Sequence, residues 1–132
     1  KNEIHIWIRP EDYRNANLII LLGYIIFGKK KKKKGKIKIF ALYPKESMEE
    51  KRKQLLGLIK TGRLPISPSN VSMVSYEEGN RKKVISKYSA DADLTLTGFT
   101  SDMLSNIDDF SEGYENLGNV LFVGANRAKA IN

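Results

Sequence analysis

The chain has 132 residues, enough for one domain whose core needs neither a disulfide nor a metal to hold it. It has no cysteine, which excludes a disulfide scaffold, thiolate chemistry and cysteine zinc sites. Its formal net charge is +8, yet six of those charges sit in one run, Lys29, Lys30, Lys31, Lys32, Lys33 and Lys34. Nucleic-acid binders spread basic residues over a face or along a helix and interleave aromatics for stacking. A single tract of this kind argues against nucleic acid as a partner.

Residues 4–8, IHIWI, are β-branched and aromatic and end at Arg9-Pro10, which predicts a short strand. They are apolar on both faces except at His5, as in a central parallel strand covered on both sides. No signal-like stretch precedes them, so the sequence reads as a piece of a longer protein. Residues 17–28, NLIILLGYIIFG, are apolar all round and predict a helix. The run falls short of the roughly 20 apolar residues of a membrane-spanning helix, and the polar residues upstream cannot extend it. A buried helix is expected.

Residues 35–43 form the second predicted strand, GKIKIFALY. The stretch 44–62 is the clearest helix. Ser47 and Glu50 have capping-box spacing, Met48, Leu55, Leu56 and Ile59 share a face, and Gly62 stands where a left-handed terminal residue is expected. Residues 70–76 predict a third strand in which Val71 and Met73 alternate with Ser72 and Val74, a mixed polarity that suits a sheet edge. A modest helix follows within 77–92, with Val84, Ile85 and Tyr88 on one side. Residues 93–99 give the fourth strand. Residues 100–118 give a helix in which Leu104, Ile107, Phe110, Tyr114 and Leu117 step by three and four. Residues 119–125 give an apolar fifth strand.

Strands alternating with helices, joined by right-handed crossovers, predict a three-layer α/β fold. The expected architecture is a mostly parallel, five-stranded, doubly wound sheet with strand order 3-2-1-4-5. There is no internal repeat and no linker long enough to split the chain, so residues 1–132 are expected to form a single domain.

In such folds ligands bind beyond the carboxyl ends of the strands, here the loops 9–16, 44–47, 76–80, 98–101 and 124–127. The first of these has no glycine, which argues against the dinucleotide fingerprint, and no Walker loop is present. Gly98, Thr100 and Ser101 could offer an anion the start of a helix, although a turn glycine followed by an N-cap explains them more simply. Arg127 in VGANR could approach a phosphate, or the segment could be the chain leaving the sheet. His5, the only histidine, and Trp7 are expected in the core. Asp91, Asp93, Asp108 and Asp109 read as solvated charge. No nucleophile–base set, metal cluster or cofactor motif is legible, so an enzyme is not expected.

Several segments together resemble a known family. IHIWIRPEDYRNANLIILLGYII is similar to the opening of the C-terminal cytosolic domain of cation-chloride cotransporters, in which an Ile-x-Ile-Trp strand leads through an acidic polar loop into a leucine-rich helix. GKIKIFAL resembles that domain's next strand, YSADADLTLTGF its late helix-to-strand passage, and NLGNVLFVGANRAKAI its closing strand. The order of the segments is the family's, across nearly the whole chain. His5 departs from it, standing where many members carry an acid, and the lysine run replaces a loop of mixed sequence.

The resemblance implies a non-enzymatic cytoplasmic module of a membrane transporter that moves chloride with sodium, potassium or both. It implies a fold similar to universal stress proteins and a role in regulation and dimerisation. Its implied partners are the transmembrane domain of the same chain and a second copy. The family's ion sites lie in the membrane part, so none is carried onto this chain.

The alternative is a universal-stress-type nucleotide-binding domain. Its phosphate loop, a Gly-x-x-Gly followed by Gly-Ser/Thr, is not matched by Gly113, Gly118 and Gly124. For the 29–34 lysine run two readings stand: a binding tract for anionic lipid headgroups or nucleic acid, or a solvated, self-repelling loop. The loop is the preferred one.

Overall fold

The structure is a computed structural model that describes residues 2–29, 35–62, 66–77, 80–99 and 117–124. Its strands are β1 (Asn2–Ile8), β2 (Gly35–Tyr43), β3 (Val71–Ser75), β4 (Leu94–Phe99) and β5 (Asn119–Gly124). The helices among these residues are α1 (Ala16–Lys29), α2 (Met48–Thr61) and α3 (Arg81–Tyr88). All strand pairs are parallel and the order is β3-β2-β1-β4-β5. The fold is therefore the doubly wound α/β sheet expected from the alternation of elements. The helix expected over 100–118 lies outside the described residues up to 116.

β1 is the central strand, and its composition follows from that position. Ile4, Ile6 and Ile8 point to one side, where Ala16, Ile19 and Ile20 of α1 and Leu55 and Ile59 of α2 complete the larger core. Trp7 points to the other, with Phe40, Leu42, Val74 and Ile85 of α3. Apolar side chains on both faces satisfy a strand covered on both sides. At the edge, β3 divides its two valines: Val71 joins the α1 side and Val74 the α3 side, while Ser72 and Ser75 are exposed.

Trp7 is fully buried and stacks on Phe40 with ring centroids 4.6 Å apart. Its indole N–H donates to Ser89 Oγ at 2.8 Å. His5 is 3% exposed, with Nδ1 2.7 Å from the same hydroxyl and Nε2 2.9 Å from Glu3 Oε1. Both are core residues, as their strand position suggests. Tyr88, expected beside Val84 and Ile85, is about half exposed and meets Trp7 and Phe40 edge-on.

Four local expectations change. Ser47 makes no capping box: a 3-10 turn over Lys45–Ser47 runs directly into α2, so Ser47 (φ −108°, ψ 4°) lacks the extended backbone of an N-cap and its hydroxyl donates back to Pro44 O at 3.2 Å. Gly62 is right-handed, with φ −78°. It ends α2 through an N–H bond to Leu58 O, and a Cβ there would crowd the Asn17 side chain. Asp93 is not simply solvated. Its carboxylate accepts the Glu3 N–H at 3.2 Å, and its own N–H donates to Glu3 O at 2.9 Å, joining the amino ends of β1 and β4.

The fourth change concerns α1, which is buried along one face only. Its Gly23 lies so close to β1 that a Cβ would meet the Ile6 side chain. On its outer side Leu18, Leu21 and Ile25 are 47%, 44% and 51% exposed. A helix in an outer layer offers the sheet a single stripe, and an all-round apolar sequence leaves the rest uncovered. Among the described residues no helix is long and apolar enough to cross a membrane.

Gly57 lies inside α2 with nothing within 4 Å of the position a Cβ would take. Gly57→Ala should therefore raise the unfolding free energy by about 0.5–1 kcal/mol through helix propensity alone. Urea denaturation measures this, and a destabilised variant would mean that the position is packed.

Candidate functional site at the carboxyl edge of the sheet

The order β3-β2-β1-β4-β5 places the reversal of winding between β1 and β4. That is where doubly wound folds leave a crevice for ligands at the carboxyl ends of the strands. Here the chain leaves β1 through Arg9 and a 3-10 turn over Pro10–Asn15. The turn folds back because Asp12 N–H bonds to Arg9 O at 2.8 Å while Asp12 Oδ2 accepts the Arg9 N–H at 2.9 Å. Arg9 Nε and Nη2 donate to the two carboxylate oxygens at 2.7 and 2.9 Å. Both residues are buried, at 5% and 4% exposed. A doubly bonded guanidinium–carboxylate pair is the arrangement that makes such burial tolerable.

Gly98 in β4 gives this pair its seat. A Cβ on Gly98 would land on the Asp12 carboxylate and 2.9 Å from Arg9 Nη2. In dinucleotide-binding folds the glycine that lets a pyrophosphate approach the backbone lies in the first strand-to-helix turn, which here has none. Gly98 instead admits the protein's own carboxylate.

A second ion pair lies beside the first. Glu11 Oε2 accepts from Arg81 Nη1 at 2.7 Å and lies 3.4 Å from Arg9 Nη1. Arg81 begins α3, donates to Tyr76 Oη at 3.2 Å and sits over the Tyr76 ring at 4.9 Å. Burial alone would raise the Glu11 pKa, but the Arg81 hydrogen bond and the Arg9 charge outweigh it and hold the carboxyl below its ordinary value. The pair ties the turn after β1 to the first turn of α3.

On the α2 side, Tyr43 ends β2. Its hydroxyl is buried and has no hydrogen-bond partner among the described residues. Burial, with Tyr13, Asp12 and Glu11 nearby, pushes its pKa up to about 12. The Lys51 ammonium lies 5.8 Å from the Tyr13 ring centre and 6.0 Å from that of Tyr43.

Both carboxylate oxygens of Asp12 are committed, to two guanidinium bonds and a backbone N–H. No group of acidic or histidine side chains that could hold a metal occurs among the described residues. Ser89, His5 and Glu3 do form a hydrogen-bonded row reminiscent of a nucleophile–base–acid set. Ser89, however, is fully buried beneath α3, and its oxygen already accepts the Trp7 N–H. A nucleophile must be reachable by substrate, so this row fastens α3 to β1. For a neutral imidazole, Ser89 donates to Nδ1 and the ring proton sits on Nε2, facing Glu3. That hydrogen bond is the main cause of the lowered Glu3 pKa.

Of the residues singled out in the sequence, Gly98 is at the edge, where it receives Asp12. Thr100, Ser101 and Arg127 lie outside the described residues, as do Lys30, Lys31, Lys32, Lys33 and Lys34. Lys29 closes α1. The sequence reading overlooked Arg9, Glu11, Asp12, Arg81 and Tyr43. The available signal was an Arg-x-x-Asp spacing in a glycine-free first loop, with a glycine ending the neighbouring strand.

No family model, no curated protein and no solved structure matches the chain.

Asp12→Ala should destabilise the domain by about 3–5 kcal/mol by stranding the Arg9 charge, and Gly98→Ala by about 1–3 kcal/mol through overpacking. Combined, the two should cost less than their sum, because the first vacates the space the second needs. Additive losses in denaturant would show that Gly98 does not seat Asp12. Tyr43→Phe should leave stability at neutral pH unchanged or raised, since the hydroxyl it removes has no partner. An unfolded tyrosine ionises near pH 10 and folded Tyr43 near 12. The wild type therefore keeps this contribution below pH 10 and loses it as pH rises from 10 to 12. Thermal melts across that range should fall less steeply for Tyr43→Phe.

Proposed function

We propose that this chain is a non-catalytic cytoplasmic domain that regulates a cation-chloride cotransporter, attached to the membrane part of the same polypeptide and pairing with a second copy. The observation that carries the non-catalytic part is the buried Arg9–Asp12 pair over Gly98. The crevice in which this fold class holds nucleotides is occupied by the chain's own charges. Among the described residues nothing there cradles a phosphate, and the carboxylate of Asp12 is committed to a guanidinium.

The transporter part rests on the resemblance of the ordered segments, from IHIWI to NVLFVGA, and on a fold of the class that the resemblance implies. Fold alone does not select a function, so the segment order is the argument. Regulation by such a domain is a matter of contacts made and released, which the filled crevice suits better than turnover. The dimer follows from the resemblance alone.

The reading is tested at two levels. The gene upstream of residue 1 should encode about ten or more apolar spans of roughly 20 residues each. A coding sequence with no such spans would sink the transporter assignment. Calorimetric titration of the domain with ATP should give no binding at micromolar concentrations, and a micromolar dissociation constant would replace this reading with a nucleotide-binding one.

A further inference from the structure

α3 has little apolar hold on the sheet. Of its eight residues only Ile85 and Ser86 are buried, so the polar bonds at its two ends matter to its attachment. At the front, Arg81 donates to Glu11. Just past the back, the fully buried Ser89 meets Trp7 and His5 of β1. His5 is the only histidine of the chain. Histidine is the side chain that ordinarily changes charge between pH 5 and 8.

With the imidazole neutral, three bonds run in one direction. Trp7 N–H donates to Ser89 Oγ at 2.8 Å, Ser89 O–H to His5 Nδ1 at 2.7 Å, and His5 Nε2–H to Glu3 Oε1 at 2.9 Å. A proton added at Nδ1 turns that nitrogen into a donor. Two N–H groups, from Trp7 and His5, then point at one hydroxyl, and the Ser89 O–H loses its acceptor inside the core. The surroundings answer the new charge only in part. Glu3 of β1 bonds the imidazole, but the Lys38 ammonium of β2 already lies 3.6 Å from the same carboxylate oxygen. Phe40 of β2 presents its ring edge-on, with centroids 5.1 Å apart. β4 contributes Thr95, a neutral hydroxyl opposite His5 in register, and Asp93, whose carboxylate accepts the Glu3 N–H. Lys36, opposite Glu3 in β2, and Lys83 and Lys87 of α3 add exposed positive charge. Tyr88, the last residue of α3, turns its ring to Trp7 and Phe40.

From this row we infer that His5 is an acid-sensitive latch: taking up a proton at Nδ1 releases Ser89 and frees the end of α3 from β1. The front of the helix stays fastened in mild acid. Burial opposes the ionisation of Glu11, but the Arg81 hydrogen bond and the Arg9 charge hold its carboxyl below the ordinary value. Glu11 is therefore still largely ionised at pH 5, and α3 pivots on Arg81. The latch needs only β1 and α3, whatever larger protein they belong to.

Amide exchange followed by NMR between pH 8 and pH 5 tests it. After correction for intrinsic exchange, protection at residues 85–89 should fall by about tenfold or more on acidification, while α2 keeps its protection. The fall should share its midpoint with the imidazole signals, which a single histidine makes unambiguous. His5→Gln, neutral throughout, should abolish the fall. Protection that stays constant or rises in acid would overturn the inference, and so would a fall that His5→Gln retains. The wild-type arm does not depend on that variant folding. An imidazole that stays neutral down to pH 5, or one whose midpoint differs from that of the α3 amides, would overturn the inference by itself.

Discussion

The carboxyl edge of this sheet depends on one buried ion pair. Arg9 and Asp12 lie three residues apart, so the loop that contains them can close on itself before any distant part of the chain arrives. Removing a guanidinium and a carboxylate from water carries a large desolvation penalty, which two direct hydrogen bonds and a backbone N–H offset. The pair then requires a wall without a side chain, and Gly98 supplies it. The position of β4 against β1, the turn into α1 and the Glu11–Arg81 link to α3 all follow from that seat. Nucleotide folds receive a ligand at this end of the sheet, whereas here the space over Gly98 holds the chain's own carboxylate.

The other half of β1 is fixed by a hydroxyl. Ser89 sits just past α3, and its oxygen lies within hydrogen-bond distance of both the Trp7 indole and the His5 imidazole. Two heterocycles on one strand thereby set where a helix on the next layer ends. Glu3 and Asp93 then join the amino ends of β1 and β4. β1 is thus held at both ends by polar contacts and along its length by apolar ones. The apolar contacts supply the burial, and the polar ones supply the register.

The architecture was legible in the sequence because it is written in periods. Runs such as IHIWI and NVLFVGA, separated by helical spacings, leave few alternatives to a parallel sheet. The central place of His5 and Trp7 was legible for the same reason. The edge pair was not, because its two halves are far apart in different senses. Arg9 and Asp12 are close in sequence but ordinary in composition, and Gly98, which explains them, is remote and reads as a turn. The Ser47 cap and the Gly62 terminus were misjudged because sequence spacing does not reveal a preceding 3-10 turn or the Asn17 side chain. Periodicity also misled at α1. An all-round apolar helix suggests full burial, yet a layer fold covers only the side that faces the sheet.

The placement of β1 at the centre of the sheet has a consequence for synthesis. β1 precedes the other strands of its sheet along the chain, and one of its two neighbours, β4, begins only at Leu94. Until then one edge of the central strand has no ladder partner. Ser89, the acceptor for the Trp7 indole, is also not yet made, and neither is the glycine that seats Asp12. β1, β2 and β3 can assemble early on the α1 and α2 side, but the opposite side stays open until α3 and β4 are made. Parallel pairing over such separations is slow to form and leaves strand edges exposed meanwhile. The nascent chain therefore passes through a half-built sheet whose open face is the one carrying Trp7 and Phe40.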